Sequence, residues 1–128
     1  MAKILIVDDD EDLLQLMGEY LKLTGLEPDL AISAEQARDH LKRSKYDMVV
    51  SDFNMPGESG LDLLSYISST YPQTPFVLMT GCADQRIKRE SMRMGASAYI
   101  QKPFYLNELG QTIVNLVLRS DQKEAPAA

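Results

Sequence analysis

Four short polar clusters stand out because each follows an apolar run and each carries groups suited to handling phosphate. Asp8-Asp9-Asp10-Glu11-Asp12 follows Ile4-Leu5-Ile6-Val7, and Ser51-Asp52-Phe53-Asn54 follows Met48-Val49-Val50. Thr80-Gly81 follows Phe76-Val77-Leu78-Met79, and Lys102-Pro103 follows the weaker run Ala98–Gln101. Crowded carboxylates raise one another's pKa unless a cation intervenes. Asp8, Asp9 and Asp52 are therefore candidate ligands for a hard divalent ion. Mg²⁺ fits best, since it takes a few carboxylates and keeps positions for water and phosphate oxygens. The Asp52 carboxylate is a candidate nucleophile of the kind that forms an aspartyl-phosphate. Phosphoryl transfer demands mainly positioning and charge neutralisation. Lys102 would supply positive charge and the Thr80 hydroxyl one hydrogen bond.

Each of these residues also has an ordinary reading. Asp52 can start an Asx-turn ahead of Pro56, Thr80 can cap a helix, and Lys102 can be a solvated lysine. None of these explains why complementary polar groups end four different apolar runs. Asp10, Glu11 and Asp12 read as acids in the first turn of a helix, where its dipole favours negative charge. Cys82 reads as a small loop residue, since no reactive-thiol context surrounds it. His40, the only histidine, has no acidic partner evident from spacing and is not read as a phosphotransfer histidine.

The elements that must position these groups alternate along the whole chain. Short unbroken apolar runs suit strands buried on both faces, as in parallel sheets. Glu27–Ala31 and Ala98–Gln101 are weaker strand candidates, and Pro28, which lacks a ladder donor, belongs on an edge. Between the runs lie helix patterns. Leu13, Leu14, Met17, Tyr20 and Leu21 recur at helical spacing before Gly25. Ser33 with Gln36 is a capping-box signature ahead of Ala37 and Leu41. Leu61, Leu64 and Ile67 precede Pro72, the charged segment Asp84–Met94 stops at Gly95, and Leu106 to Val117 makes the last helix. From Ser120 the chain is polar and Ala/Pro-rich, and residues 120–128 read as a flexible tail after a domain spanning 1–119.

Alternating strands and helices predict an α/β fold: one doubly wound five-stranded parallel sheet, flavodoxin-like order 2-1-3-4-5, with five helices. Ligands in such sheets bind beyond the carboxyl ends of the strands. All four polar clusters then lie on that rim.

The 128 residues, 45% of them hydrophobic, suffice for one core. A net charge of −6 argues against direct attraction to nucleic acid or to an anionic membrane. No apolar run approaches the roughly 20 residues of a spanning helix. One cysteine cannot form an internal disulfide, and the chain reads as cytoplasmic.

The pieces ILIVDDD, MVVSDFNMPGESGLDLL, FVLMTG and GASAYIQKPF together resemble the receiver domains of bacterial two-component response regulators, over roughly Lys3 to Leu118. The resemblance implies that Asp8 and Asp9 are the metal-binding pair and that Asp52 is the phosphoacceptor. It implies that the backbone carbonyl of Asn54 is the remaining protein ligand to Mg²⁺. Thr80 and Lys102 match the phosphoryl contacts, Tyr99 matches the switch aromatic, and the Lys102-Pro103 bond is expected to be cis. The donor would be the phosphohistidine of a histidine kinase or a histidine phosphotransfer protein. Phosphorylation would alter the face built from the fourth helix, fifth strand and fifth helix, and so control a downstream protein or an effector domain absent from this chain. Such a domain is not a turnover enzyme; it catalyses only its own phosphorylation and dephosphorylation.

Two departures qualify the match. Gly57-Glu58-Ser59-Gly60 replaces the more usual Met-Asp before the last glycine, which changes loop contacts rather than chemistry. Ala98 precedes Tyr99 where receivers of the large winged-helix subfamily carry aspartate. This weighs against their salt-bridged dimer and favours a monomer or weak dimer. An alternative reading takes Asp8 and Asp10 as the DxD of haloacid-dehalogenase-type phosphatases. Glu11 and Asp12 occupy the positions of that motif's usual small residues, and no acidic pair ends a strand after Lys102. A dinucleotide or nucleotide site is disfavoured because the first strand is followed by acids rather than by a glycine-rich loop.

Overall fold

A computed structural model describes residues 1–81 and 84–124, with side chains as far as residue 119. The order is β1 (Lys3–Val7), α1 (Glu11–Leu23), β2 (Glu27–Ala31), α2 (Ala34–Arg43), β3 (Met48–Asp52), α3 (Gly60–Thr70), β4 (Phe76–Thr80), α4 (Gln85–Arg93), β5 (Ala98–Gln101) and α5 (Leu106–Glu124). The strands pair in the order β2-β1-β3-β4-β5, and every pairing is parallel. The three apolar strands hold the centre, as expected, and every residue of β3 and β4 is buried. β2, with Pro28 opposite Ile4, lies on one edge.

Alternation along each strand splits the core into two layers. Leu5, Val7, Val49, Phe76 and Leu78 pack with Ala37 and Leu41 of α2 and with Leu63, Leu64 and Ile67 of α3. Ile4, Ile6, Met48, Val50, Val77 and Met79 pack with Leu14, Met17 and Leu21 of α1 and with Leu109 and Ile113 of α5. Each fully buried aliphatic side chain is worth about 1.5–3 kcal/mol relative to exposure. Both faces of the sheet are thus covered, and its strand ends are left for chemistry.

Local structure departs from the sequence reading in a few places. Ser51, Asp52 and Thr80 belong to their strands rather than following them. The ladder needs only backbone groups, so polar residues continue it: Asp52 is in register with Met79 and Thr80 with Gln101. The capping box at Ser33 is half formed. Ser33 Oγ accepts from the Gln36 N–H, but Gln36 Oε1 accepts from the N–H of Ile32, one residue earlier than the cap. The complete capping box is at Ser59 and Asp62, which opens α3. Asp10 is the N-cap of α1, accepting from Leu13 N–H, while Glu11 and Asp12 take the first turn. Asp84 likewise caps α4 rather than starting it. α5 runs to Glu124, past the boundary drawn at Ser120, because Gln122, Lys123 and Glu124 are good helix formers. Residues 125–128 lie outside the described residues, as does Cys82. Among the described residues, no helix is long and apolar enough to cross a membrane.

Candidate functional site

The parallel register brings the ends of β1, β3, β4 and β5 to one rim, and the charged groups meet there. Asp8 directly follows β1 and is fully buried. Its Oδ1 accepts from the Asp10 N–H at 3.0 Å and its Oδ2 from Lys102 Nζ at 2.8 Å. Lys102 Nζ also lies 3.3 Å from Asp52 Oδ1, so one ammonium bridges two buried carboxylates. Asp9 is exposed on the outer side of the cluster. One carboxylate oxygen from each of Asp8, Asp9 and Asp52 lies within 4.8 Å of the others.

The neighbouring strands hold these groups in place. The N–H of Lys102 donates to the carbonyl of Thr80 at 2.8 Å, tying the end of β5 to the end of β4. The Lys102-Pro103 bond is cis, as the resemblance implied. The Phe53 N–H donates to the Met79 carbonyl at 2.7 Å, and the Gly60 N–H to the Phe53 carbonyl at 2.9 Å. Gly60 permits this closure: a Cβ there would stand 2.4 Å from the Asp52 carbonyl oxygen and 2.9 Å from Phe53 Cα. The start of α3 can approach the end of β3 this closely only with glycine at that position.

Thr80 is buried at the end of β4, one residue beyond the register partner of Asp52. Asn54 is exposed, two residues beyond Asp52 in the β3–α3 loop. Tyr99 is half-buried opposite Leu78, packs, as Ile87 and Met94 do, against the core layer of α2 and α3, and has Lys88 Nζ 5.9 Å from its ring centroid. The structure therefore gathers Asp8, Asp9, Asp52 and Lys102 into one cluster. Thr80 stands on the adjoining strand and Tyr99 farther along the sheet.

Asp10, the second acid of the phosphatase reading, uses its carboxylate to cap α1. It is not part of the carboxylate group at the strand ends. His40 lies elsewhere, with Nδ1 3.3 Å from the Tyr46 hydroxyl. That hydroxyl donates to Asp29 Oδ2 at 2.6 Å. Burial first, then the hydrogen bond and charge of Asp29, push the Tyr46 hydroxyl to a higher pKa. Sequence reasoning overlooked Gly60 as a site-shaping residue, although its place soon after Asp52 and at a helix start was visible.

The electrostatics follow from burial and crowding. Burial foremost, then the charge of Asp8, push the Asp52 carboxyl up to about 6, against the lowering influence of Lys102. Burial alone would lower the Lys102 pKa, but its hydrogen bonds and charge contacts with Asp8 and Asp52 outweigh burial and raise it. The donor set fits Mg²⁺: three hard carboxylate oxygens at close range, with an exposed side at Asp9 for water and phosphate oxygens.

A family model described as the response regulator receiver domain matches residues 4–114. The chain belongs to this family. It is 38% identical to the response regulator protein FleR of Pseudomonas aeruginosa, over 99% of this chain and 26% of FleR. It is 36% identical to the transcriptional regulatory protein CpxR of Escherichia coli, over 97% of this chain and 53% of CpxR. The receiver thus spans about a quarter and about half of these curated relatives. Among solved structures, a CheY-like receiver domain protein from Methanospirillum hungatei superposes with TM-score 0.92 at 26% identity, covering 96% of this chain and 98% of that one. A receiver domain protein from Clostridium thermocellum gives 0.89 at 30% identity, covering 95% and 98%. Receiver domains of two-component response regulators serve phosphorylation-dependent signalling, and this receiver carries the acidic cluster to which Mg²⁺ is suited.

A stability test follows from the Asp52 shift. A carboxyl whose folded pKa is raised from 3.8 to about 6 stabilises the fold fully below the lower value and loses that contribution as pH rises through the higher one. In Mg²⁺-free buffer, Asp52→Asn should therefore gain stability relative to the parent between about pH 4 and 6, with the difference level above that. Urea denaturation at a series of pH values measures it. A pH-independent difference would contradict the electrostatic account.

Proposed function

We propose that this receiver accepts a phosphoryl group on Asp52 from a phosphohistidine of a histidine kinase or a histidine phosphotransfer protein. The observation that carries this reading is the bridged carboxylate cluster, in which a buried aspartate faces a lysine and two further acids. A carboxylate oxygen of Asp52 attacks phosphorus, the phosphorus–nitrogen bond of the donor breaks, and the imidazole departs with a proton. The product is an acyl phosphate on Asp52. Asp8, Asp9, Asp52 and the Asn54 backbone carbonyl would hold Mg²⁺, which supplies charge neutralisation for the phosphoryl oxygens when bound. Lys102, already aimed at Asp52, offsets the added negative charge. Thr80 offers its hydroxyl to a phosphoryl oxygen. The domain promotes its own phosphorylation and dephosphorylation and turns over no separate substrate.

In this reading the signal leaves through the face of α4, β5 and α5. Drawing Thr80 toward the phosphoryl group moves the end of β4, and the ring of Tyr99 rotates inward beside it. Coupling of this size is typically about 1–3 kcal/mol. The output reaches a downstream protein or an attached effector domain, in the cytoplasm, with the receiver itself a monomer or weak dimer. Direct contact with nucleic acid or membrane is not part of this reading, in keeping with the net charge of −6.

With Mg²⁺ and acetyl phosphate, mass spectrometry should show one added phosphoryl group, labile to hydroxylamine. Asp52→Asn should abolish it, because a neutral amide is a poor nucleophile. Undiminished labelling of that variant would remove Asp52 as the acceptor. Thr80→Ala keeps the nucleophile, the acids and Lys102, so it should still be labelled. Its amide shift changes across α4, β5 and α5 on beryllofluoride addition should shrink severalfold in number, since the coupling runs through the hydroxyl. A full response in Thr80→Ala would exclude Thr80 as the link.

A further inference from the structure

The loop between β3 and α3 carries Asn54, yet little of the loop's own backbone holds it. Its hydrogen-bonded closure joins Phe53 to Gly60. Among the described residues, no hydrogen bond ties Asn54, Met55, Pro56 or Gly57 to another element. Gly57 takes a φ of +80°, a turn conformation that side chains other than glycine rarely adopt. Met55 packs against the core layer. At its far end the Ser59–Asp62 capping box fastens the loop to α3, and the tie to α2 is ionic: Glu58 Oε2 pairs with Arg38 Nη2. Among the described residues it is the one ion pair that joins this loop to another element.

Arg38 is itself held from a third side. Its guanidinium carbon lies 4.5 Å from the centroid of the Tyr66 ring on α3, within cation–π range. Its Nε is buried without an acceptor. A buried donor left unmet is unfavourable, so the Glu58 pair and the Tyr66 face together keep the guanidinium in this seat. Both helices are anchored in the core, α2 through Ala34, Ala37 and Leu41 and α3 through Leu63, Leu64 and Ile67. Glu58 is thereby fastened to rigid elements four residues after Asn54.

We propose that Arg38 is a positioning residue for the metal and phosphoryl site: paired with Glu58 and seated on Tyr66, it fixes the β3–α3 loop and so the Asn54 carbonyl. The proposal rests on reading Asp8, Asp9, Asp52 and Asn54 as the Mg²⁺ site. An outer partner that orients a ligand raises affinity without touching the metal. Breaking the pair from either side should loosen the same loop.

The sign of two single substitutions separates this role from a remote electrostatic effect. If Arg38 and Glu58 acted only through their charges, Arg38→Met would tighten Mg²⁺ binding and Glu58→Gln would weaken it. Positioning predicts that both weaken it. Mg²⁺ titration of the full chain, followed by amide shifts, should show each single variant weaker by roughly two- to fivefold, the scale of a half-exposed ion pair. The double variant should be no weaker than the weaker single, since both remove one interaction. Backbone ¹⁵N relaxation at Met55, Gly57 and Glu58 in Mg²⁺-free buffer should show lower order in all three variants than in the parent. Opposite-signed Mg²⁺ effects, multiplying effects in the double variant, or unchanged loop order would each overturn the proposal. If the unsubstituted protein itself shows no Mg²⁺ response, the underlying site reading fails instead. If that response is intact and insensitive to Arg38, only the positioning role fails.

Discussion

Three carboxylates and one ammonium share the rim where four parallel strands end, and the rest of the structure arranges this charge balance. Asp8 and Asp52 are buried, and Lys102 lies 2.8 and 3.3 Å from their oxygens. Desolvation and mutual repulsion disfavour the ionised pair, while the ammonium favours it. The result is an Asp52 that titrates near 6, well above an ordinary aspartate. A site so poised gains from any incoming positive charge. Charge imbalance is thus the feature that, in the proposed reading, would link Mg²⁺, a phosphoryl group and Lys102.

The sheet makes that balance geometrically exact enough to act on. Parallel register places Asp52 beside Met79 and Thr80 beside Gln101, so the Asp52 carboxylate, the Thr80 hydroxyl and the Lys102 backbone follow one another across the ends of three strands. Two apolar layers, one with α2 and α3 and the other with α1 and α5, hold the strands from both faces. Gly60 lets α3 begin against the Asp52 carbonyl, where any side chain would collide with backbone. The same helices that pack over Asp52 also reach, through the Arg38–Glu58 pair and the Arg38–Tyr66 contact, the loop that follows it.

Much of this was legible in the sequence because the relevant signals are local. Unbroken apolar runs mark strands covered on both faces, and Pro28 marks an edge. Asp8, Asp9, Asp52, Thr80 and Lys102 were visible as polar residues at the ends of such runs, and parallel topology alone brings them to one rim. What was not legible depends on contacts between distant residues. Arg38 and Glu58 are 20 residues apart on different elements, and each alone reads as a surface charge. The close approach at Gly60 depends on where α3 sits over β3. Gln36 bonds the N–H of Ile32 because the chain entering α2 is extended at Ser33, which a spacing rule does not encode. The end of α5 was misread because Ala and Pro beyond Glu124 lent their character to the helix-forming residues before them.

Observing the Asp52 carboxyl carbon directly by NMR tests the account at its centre. In Mg²⁺-free buffer its titration should have a midpoint at about 6, and saturating Mg²⁺ should move it below the ordinary aspartate value of 3.8. Lys102→Met should raise the Mg²⁺-free midpoint further, because the bridging ammonium is gone. An Asp52 that titrates like an exposed aspartate, with no response to Mg²⁺ or to loss of Lys102, would contradict the charge balance on which the site depends.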